Sequence, residues 1–174
     1  MKAIEMRIVV TFLALTGLCL CFGTAQAAEP KPLGVFGAWQ AFVFYENGDK
    51  VCYMASQPTQ AKGNYTKRGD IFALVTHRPG EGTRNVFSYI TGYDYKSGSD
   101  ATVKIDGDSF LLFTQGDTAW APDAETDNKL TNHIRKGSKM VVTGTSSRGT
   151  LTTDTFSLRG SGAAYDAISK ECKS

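Results

Sequence analysis

The sequence predicts a mainly β fold: an antiparallel β-sandwich or partly open barrel of about nine strands with two short helices. Three observations predict it. Short runs rich in aromatic and β-branched residues are broken at close intervals by Gly, Pro, Asn and Asp. Two of the breaks, Asn47-Gly48-Asp49 and Asp106-Gly107-Asp108, are hairpin signals. Helix-type charge order appears only late in the chain, so strands do not alternate with helices as a parallel sheet requires.

Taken in order, Glu29 to Pro32 reads as a short extended, mobile leader to the fold. Ala38 to Tyr45 and Lys50 to Met54 flank the first hairpin turn. Residues 58–69 are polar and read as a loop. Ile71 to Thr76 is a strand stopped by Arg78-Pro79-Gly80, and Asn85 to Thr91 is another stopped at Gly92. Thr102 to Ile105 and Ser109 to Thr114 flank the second hairpin turn, and Thr118 to Ala121 is a short strand. Between Pro122 and Lys136 the acids Asp123, Glu125 and Asp127 come first and Lys129, Arg135 and Lys136 last, with Gly137 after them; this is the charge order and stop of a helix. Leu130 and Ile134 give it a narrow apolar face. Lys139 to Thr143 and Thr150 to Leu158 form a last strand pair around Ser146 to Gly149. Ser161 is positioned to cap a final helix, in which Ala164, Ile168 and Cys172 fall on one face.

Residues 1–27 read as a signal peptide rather than as part of the fold. Lys2 and Arg7 precede fifteen uncharged residues, Ile8 to Phe22, and Ala25-Gln26-Ala27 supplies an A-x-A site with cleavage between Ala27 and Ala28. As a helix that run is about 22 Å long, short of the ~30 Å hydrocarbon core. Cleavage removes 27 of 174 residues, leaving one domain over 28–174. It takes away two bases and one acid, so 17 Lys+Arg face 16 Asp+Glu. This near balance excludes a nucleic-acid binder working through a basic face. No later apolar run is long enough for a transmembrane helix. The expected location is periplasmic, or secreted and associated with the outer surface.

Four cysteines are present, and Cys19 and Cys21 leave with the leader. Cys52 and Cys172 remain in a chain bound for an oxidising compartment, and the reading is a disulfide between them. Closing so long a loop contributes about 5 kcal/mol in the chain-entropy view. Two free thiols, an intermolecular bridge or half a metal site compete with it. Zinc needs three or four Cys/His ligands, and only His77 and His133 are available besides the two cysteines, without ligand spacing. No metal and no cofactor are expected.

Catalytic signals are weak. No G-x-S-x-G occurs, and His77 and His133 read as structural or surface histidines. Asp106 and Asp108 bracket Gly107 in a turn, where Asp serves local hydrogen bonds rather than glycoside hydrolysis or calcium binding. Gly144 to Thr150 lacks the Lys-Ser/Thr ending of a phosphate loop and precedes a strand. Arg68-Gly69-Asp70 is the tripeptide read by adhesion receptors, but it also ends a loop before a strand. Asn64-Tyr65-Thr66 is a glycosylation pattern. Trp39, Phe42, Phe44, Tyr45 and Tyr53 cluster in the first hairpin, and alternation cannot place all of them inside. Core is the default reading, with a surface patch as the alternative.

Together these segments resemble the invasion-associated locus B family of exported bacterial proteins. The resemblance rests on Phe36-Gly37-Ala38-Trp39, on Val51-Cys52-Tyr53-Met54 with Ser56-Gln57-Pro58, and on Lys67-Arg68-Gly69-Asp70 followed by Leu74 to Pro79. It continues through Gly116 to Asp123, Lys136 to Met140, Gly144 to Thr150, Thr153-Asp154-Thr155, Ser157-Leu158 and Cys172. One departure is Gly160-Ser161-Gly162, where the family pattern has a bulkier aromatic after the glycine. The resemblance implies a small β-rich periplasmic or surface-exposed domain, in a family associated with host-cell invasion, and brings no catalytic residue or cofactor with it. The function expected is that of an exported, non-enzymatic envelope or binding accessory protein, with an envelope or host protein as partner. Two other classes compete: a periplasmic hydrolase-like enzyme using His77 beside a carboxylate and a hydroxyl, and a lipid- or ligand-binding barrel with an enclosed apolar cavity.

Overall fold

The computed structural model describes residues 29–173. The segment read as a signal peptide and the expected Ala27–Ala28 cleavage site lie outside those residues. The chain runs through β1 (Lys31–Phe36), β2 (Trp39–Glu46), β3 (Asp49–Ser56), β4 (Gln60–Gly63), β5 (Phe72–Arg78), a 3-10 turn (Pro79–Glu81), β6 (Thr83–Ile90), β7 (Ala101–Ile105), β8 (Asp108–Gln115) and β9 (Thr118–Trp120). Then follow α1 (Ala124–Lys136), β10 (Lys139–Thr145), β11 (Leu151–Ser157) and α2 (Ser161–Cys172).

Turn chemistry sets the hairpins. Asn47 (φ 52°) and Gly48 (φ 90°) adopt the left-handed conformation that a tight β2–β3 turn needs, and Asp106 (φ 48°) with Gly107 (φ 124°) does the same for β7–β8. One antiparallel sheet results, in the order β1-β2-β3-β5-β6-β9-β8-β7-β10-β11-β4. It does not close into a barrel. β8 belongs to both halves: Asp108 to Leu112 pair with β7, and Phe113 to Gln115 pair with β9. The sheet folds over there. Tyr89 on β6 meets Phe156 on β11 edge-on, with ring centroids 6.1 Å apart, so the two halves face each other across a sandwich core. Trp39, Met54, Val75, Phe87, Leu112, Met140 and Val142 fill that core without solvent exposure.

Eleven strands form rather than about nine. β1 begins at Lys31, inside the segment read as a mobile leader. Proline is tolerated there because β1 is a sheet edge, and a bulge between Pro32 and Gly34 adjusts its register. β4 lies inside the stretch read as a loop. It pairs with β11 as the other edge, and all four of its residues are exposed, so it carries no apolar alternation to read.

The helices cover what the fold-over leaves open. Asp123 caps α1 by accepting the Thr126 N–H at 2.7 Å, and Leu130 and Ile134 turn into the core. α2 is not capped by Ser161. Gly160 (φ 91°) is its cap, and the Ser161 hydroxyl instead donates to the carbonyls of Ile134 (2.6 Å) and Leu158 (2.8 Å). The reason is crowding: a Cβ on Gly160 would sit 1.9 Å from the Phe36 carbonyl oxygen. Ala164, Tyr165, Ile168 and Cys172 of α2 are buried, and α2 packs on β1, β2, β3 and β5. Cys172 is bonded there to Cys52, their Cα atoms 6.0 Å apart. Among the described residues no helix is long and apolar enough to cross a membrane.

Candidate functional site

Strand alternation divides the aromatic residues of the first hairpin. Trp39 points inward and is fully buried, its Nε1–H donating to the Ser157 carbonyl at 3.1 Å. Tyr45 is exposed at the strand end. Phe42, Phe44 and Tyr53 point to the opposite face, away from α2 and from the second half of the sheet. Phe42 stacks on Tyr53 at 5.0 Å between centroids, and Phe44 meets Tyr53 edge-on at 5.9 Å. Phe72 and Leu74 of β5 join this face, and a hollow of about 500 Å³ opens over β2, β3 and β5 with Ala38 and Ala55 in its lining. Farther along, Phe113 of β8 lies 5.6 Å from Trp120 of β9, and Leu111 and Phe113 are 59% and 46% exposed. Among the described residues no helix or strand covers this outward face. A run such as Phe72-Ala73-Leu74-Val75, apolar on both faces, is the sequence signal of a strand whose outer side is also apolar.

A second, polar hollow of about 580 Å³ lies between the segment before β5, the segment after β6 and the β10–β11 turn. Arg68 forms its floor. Its Nη1 and Nη2 donate to the two carboxylate oxygens of Asp154 at 2.7 and 2.6 Å, and its Nε–H donates to the Thr91 carbonyl at 2.7 Å. Tyr93 lies under the guanidinium at 4.9 Å, and the Tyr89 hydroxyl donates to Asp154. Burial opposes the guanidinium charge, but the hydrogen bonds and charge of Asp154 outweigh it and hold Arg68 above its ordinary value. Burial, followed by the Asp154 charge, pushes the Tyr89 phenol up. The Arg68-Gly69-Asp70 tripeptide is therefore not presented as an adhesion signal: its cation is consumed inside the protein, while Asp70 is exposed.

His77 is fully buried beneath α2. The Asn85 backbone N–H donates to its Nδ1 at 3.1 Å, so the ring proton sits on Nε2 and is donated to the Ser169 hydroxyl at 3.1 Å. A serine base needs the reverse polarity, with an unprotonated Nε2 facing the hydroxyl and a carboxylate on Nδ1. Burial, then the Arg84 charge, lower the His77 pKa to about 4. The hydrolase arrangement expected around His77 gains its hydroxyl but not its carboxylate.

The other candidates are structural. Asp106 accepts the backbone N–H groups of Ser138 (2.7 Å) and Lys139 (3.2 Å), closing the α1–β10 corner. Asp108 lies 3.2 Å from His133 Nε2 on the exposed side of α1. Gly144 to Thr150 is a strand end and hairpin turn with Arg148 exposed. Among the described residues no group of three His, Cys, Asp or Glu could hold a metal ion. The apolar hollow lies on the outside of an open sheet, so the enclosed cavity of a lipid-binding barrel is not formed by it.

The described residues thus form an open antiparallel sandwich, cross-linked to its last helix and bearing an uncovered aromatic face. The chain belongs to the Invasion associated locus B (IalB) protein family, whose defining pattern matches residues 39–169. Its fold is similar to that in the crystal structure of invasion associated protein B from Bartonella henselae, with a TM-score of 0.55 at 16% identity, over 80% of this chain and 97% of that one. Among curated proteins none matches the chain.

Proposed function

We propose that this protein is an exported, non-enzymatic accessory domain of the bacterial envelope that works by contact through the aromatic face of β2, β3, β5, β6, β9 and β8. The observation that carries the reading is that face itself, with Phe42, Tyr53, Phe72 and Leu74 around an open hollow. Soluble proteins seldom leave a contiguous apolar patch of this kind without a binding role. The inverted polarity at His77 supports binding over turnover. Export is supported by the leader composition and by the Cys52–Cys172 bond, which persists in oxidising compartments. The location proposed is the periplasm or the outer surface, with cleavage between Ala27 and Ala28 and residues 28–174 as the working domain. The family's link to invasion extends to this chain only as part of this proposal, with an envelope or host protein as partner.

Cross-linking in intact cells tests the contact surface. A cross-linked species of higher mass is expected for the native protein and is expected to disappear with Leu74→Glu. Equal recovery of that species from both would reject the face as the contact surface. N-terminal sequencing after cell fractionation is expected to find the protein in the periplasm beginning at Ala28; a protein found only in the cytoplasm and beginning at Met1 would reject the export reading, and a periplasmic protein beginning at Met1 would reject the cleavage site.

A further inference from the structure

The outward face carries an order of side chains that suits a copy of itself. Strand pairing places Ala55, Leu74, Ser88, Trp120 and Phe113 in one continuous row across β3, β5, β6, β9 and β8. Ser88 of β6 is the midpoint. Leu74 and Trp120 stand one strand away on either side, and Ala55 and Phe113 stand two strands away. At about 4.8 Å per strand, Ala55 and Phe113 are each roughly 10 Å from the centre. Ala55 lies in the lining of the hollow, while Phe113 projects and is 46% exposed. The row therefore has a hole at one end and a knob at the same distance on the other.

We propose that a second copy of this chain docks on this face, related by a two-fold axis that lies between the two sheets and runs along β6. That rotation sets Phe113 of each copy over Ala55 of the other and Leu74 against Trp120, the self-complementary exchange of an isologous interface. The flanking positions, Phe42, Tyr53 and Val86 on one side and Phe72 and Ile90 on the other, carry no charge that pairing would strand. The five strands that overlap under this rotation and three rows of side chains make a face about 19 Å by 14–20 Å. Two such faces bury roughly 500–800 Å² in total, the size of a weak and transient contact, so the pair dissociates readily on dilution. The inference rests on the reading of this face as the contact surface.

The test uses protein recovered from the periplasm of cells making the full chain. Sedimentation velocity from about 1 to 500 µM is expected to show a monomer–dimer equilibrium. Phe113→Glu and Ala55→Phe are each expected to weaken it by about tenfold or more, and Ala55→Phe combined with Phe113→Ala to restore it. Leu151→Glu, an exposed leucine on β11, is expected to leave it unchanged. Should a variant fail to fold, the unaltered protein still reports. Its two tryptophans are Trp39, fully buried, and Trp120, partly exposed on the face, so dilution is expected to red-shift emission through Trp120. A monomer at every concentration, emission that does not move, or a dimer indifferent to Phe113→Glu overturns the proposal. A monomer whose cellular cross-link still vanishes with Leu74→Glu overturns the second copy but keeps the face as a contact surface; if the cross-link persists as well, both fail.

Discussion

The backbone N–H of Asn85 donates to Nδ1 of His77 at 3.1 Å, across the irregularity between β5 and β6 where Asn85 takes a left-handed conformation (φ 60°). The same asparagine accepts from the Tyr165 hydroxyl at 2.9 Å and, through its backbone carbonyl, from the Thr131 hydroxyl at 3.1 Å. One bulge residue thus holds both helices and fixes the histidine tautomer.

Acid stability reports on this arrangement. His77 ordinarily titrates near 6.5 and is lowered to about 4 in the fold, so its contribution is complete above pH 6.5 and is lost as pH falls toward 4. The loss is on the order of 3 kcal/mol. Asp127, which accepts the Phe87 N–H at 2.8 Å, is raised by burial to about 6. Its contribution has the opposite sign: complete below about pH 4 and lost as pH rises through 6. Because Asp127 is partly exposed, it offsets about 1–2 kcal/mol of the His77 loss. Urea titrations at pH 7 and pH 4.5 are expected to show a steeper acid loss for Asp127→Asn than for the native protein. An unchanged difference would refute the compensation.

Arg68 and Asp154 are both almost fully buried, so removing either strands a charge. Arg68→Met and Asp154→Asn are each expected to cost about 3–5 kcal/mol. Arg68→Lys should recover little of it, because an ammonium cannot reproduce the fork that grips both Asp154 oxygens and the Thr91 carbonyl. Denaturant midpoints measure all three.

Reduction of the Cys52–Cys172 bond is expected to lower stability by about 2–5 kcal/mol, read as a drop in the thermal midpoint with added phosphine. Cys52→Ala with Cys172→Ala should match reduced native protein and no longer respond to reductant.

Gly160→Ala is expected to cost about 2–4 kcal/mol or to prevent folding, since a methyl group there meets the Phe36 carbonyl in a left-handed backbone. Gly149→Ala, also left-handed (φ 83°) but with open space around it, is expected to cost only about 1 kcal/mol. Comparable losses at the two sites would count against close approach as the cause.

What could be read from the chain alone follows the range of the forces involved. The Asn47-Gly48 and Asp106-Gly107 turns and the acid-first, base-last charge order of α1 are local, decided within a few residues, and were legible; the Asp123 cap was not singled out among the three acids at the helix start. β4 was not, because an exposed edge strand such as Gln60–Gly63 is selected for pairing rather than for apolar alternation. Nor was the Arg68–Asp154 pair, whose partners are 86 residues apart and become neighbours only when the sheet folds over. His77 reads from the sequence as structural or surface and is a buried structural residue, but its tautomer was out of reach, because it depends on a bulge at Asn85 and on a hydroxyl from the last helix. The outward aromatic face was partly legible. Alternation showed that the first hairpin could not hide all its rings, but the row joining Ala55 to Phe113 depends on strand order.

That strand order constrains how the polypeptide is made. Synthesis delivers the N-terminal end first, yet β4 finds its neighbour on β11, and Cys52 finds its thiol partner 120 residues later. The early hairpins therefore wait for α2 before the part of their inner side it packs on is covered. The cross-link can close only after α2 has packed, and a chain truncated before α2 lacks the helix that packs on β1, β2, β3 and β5.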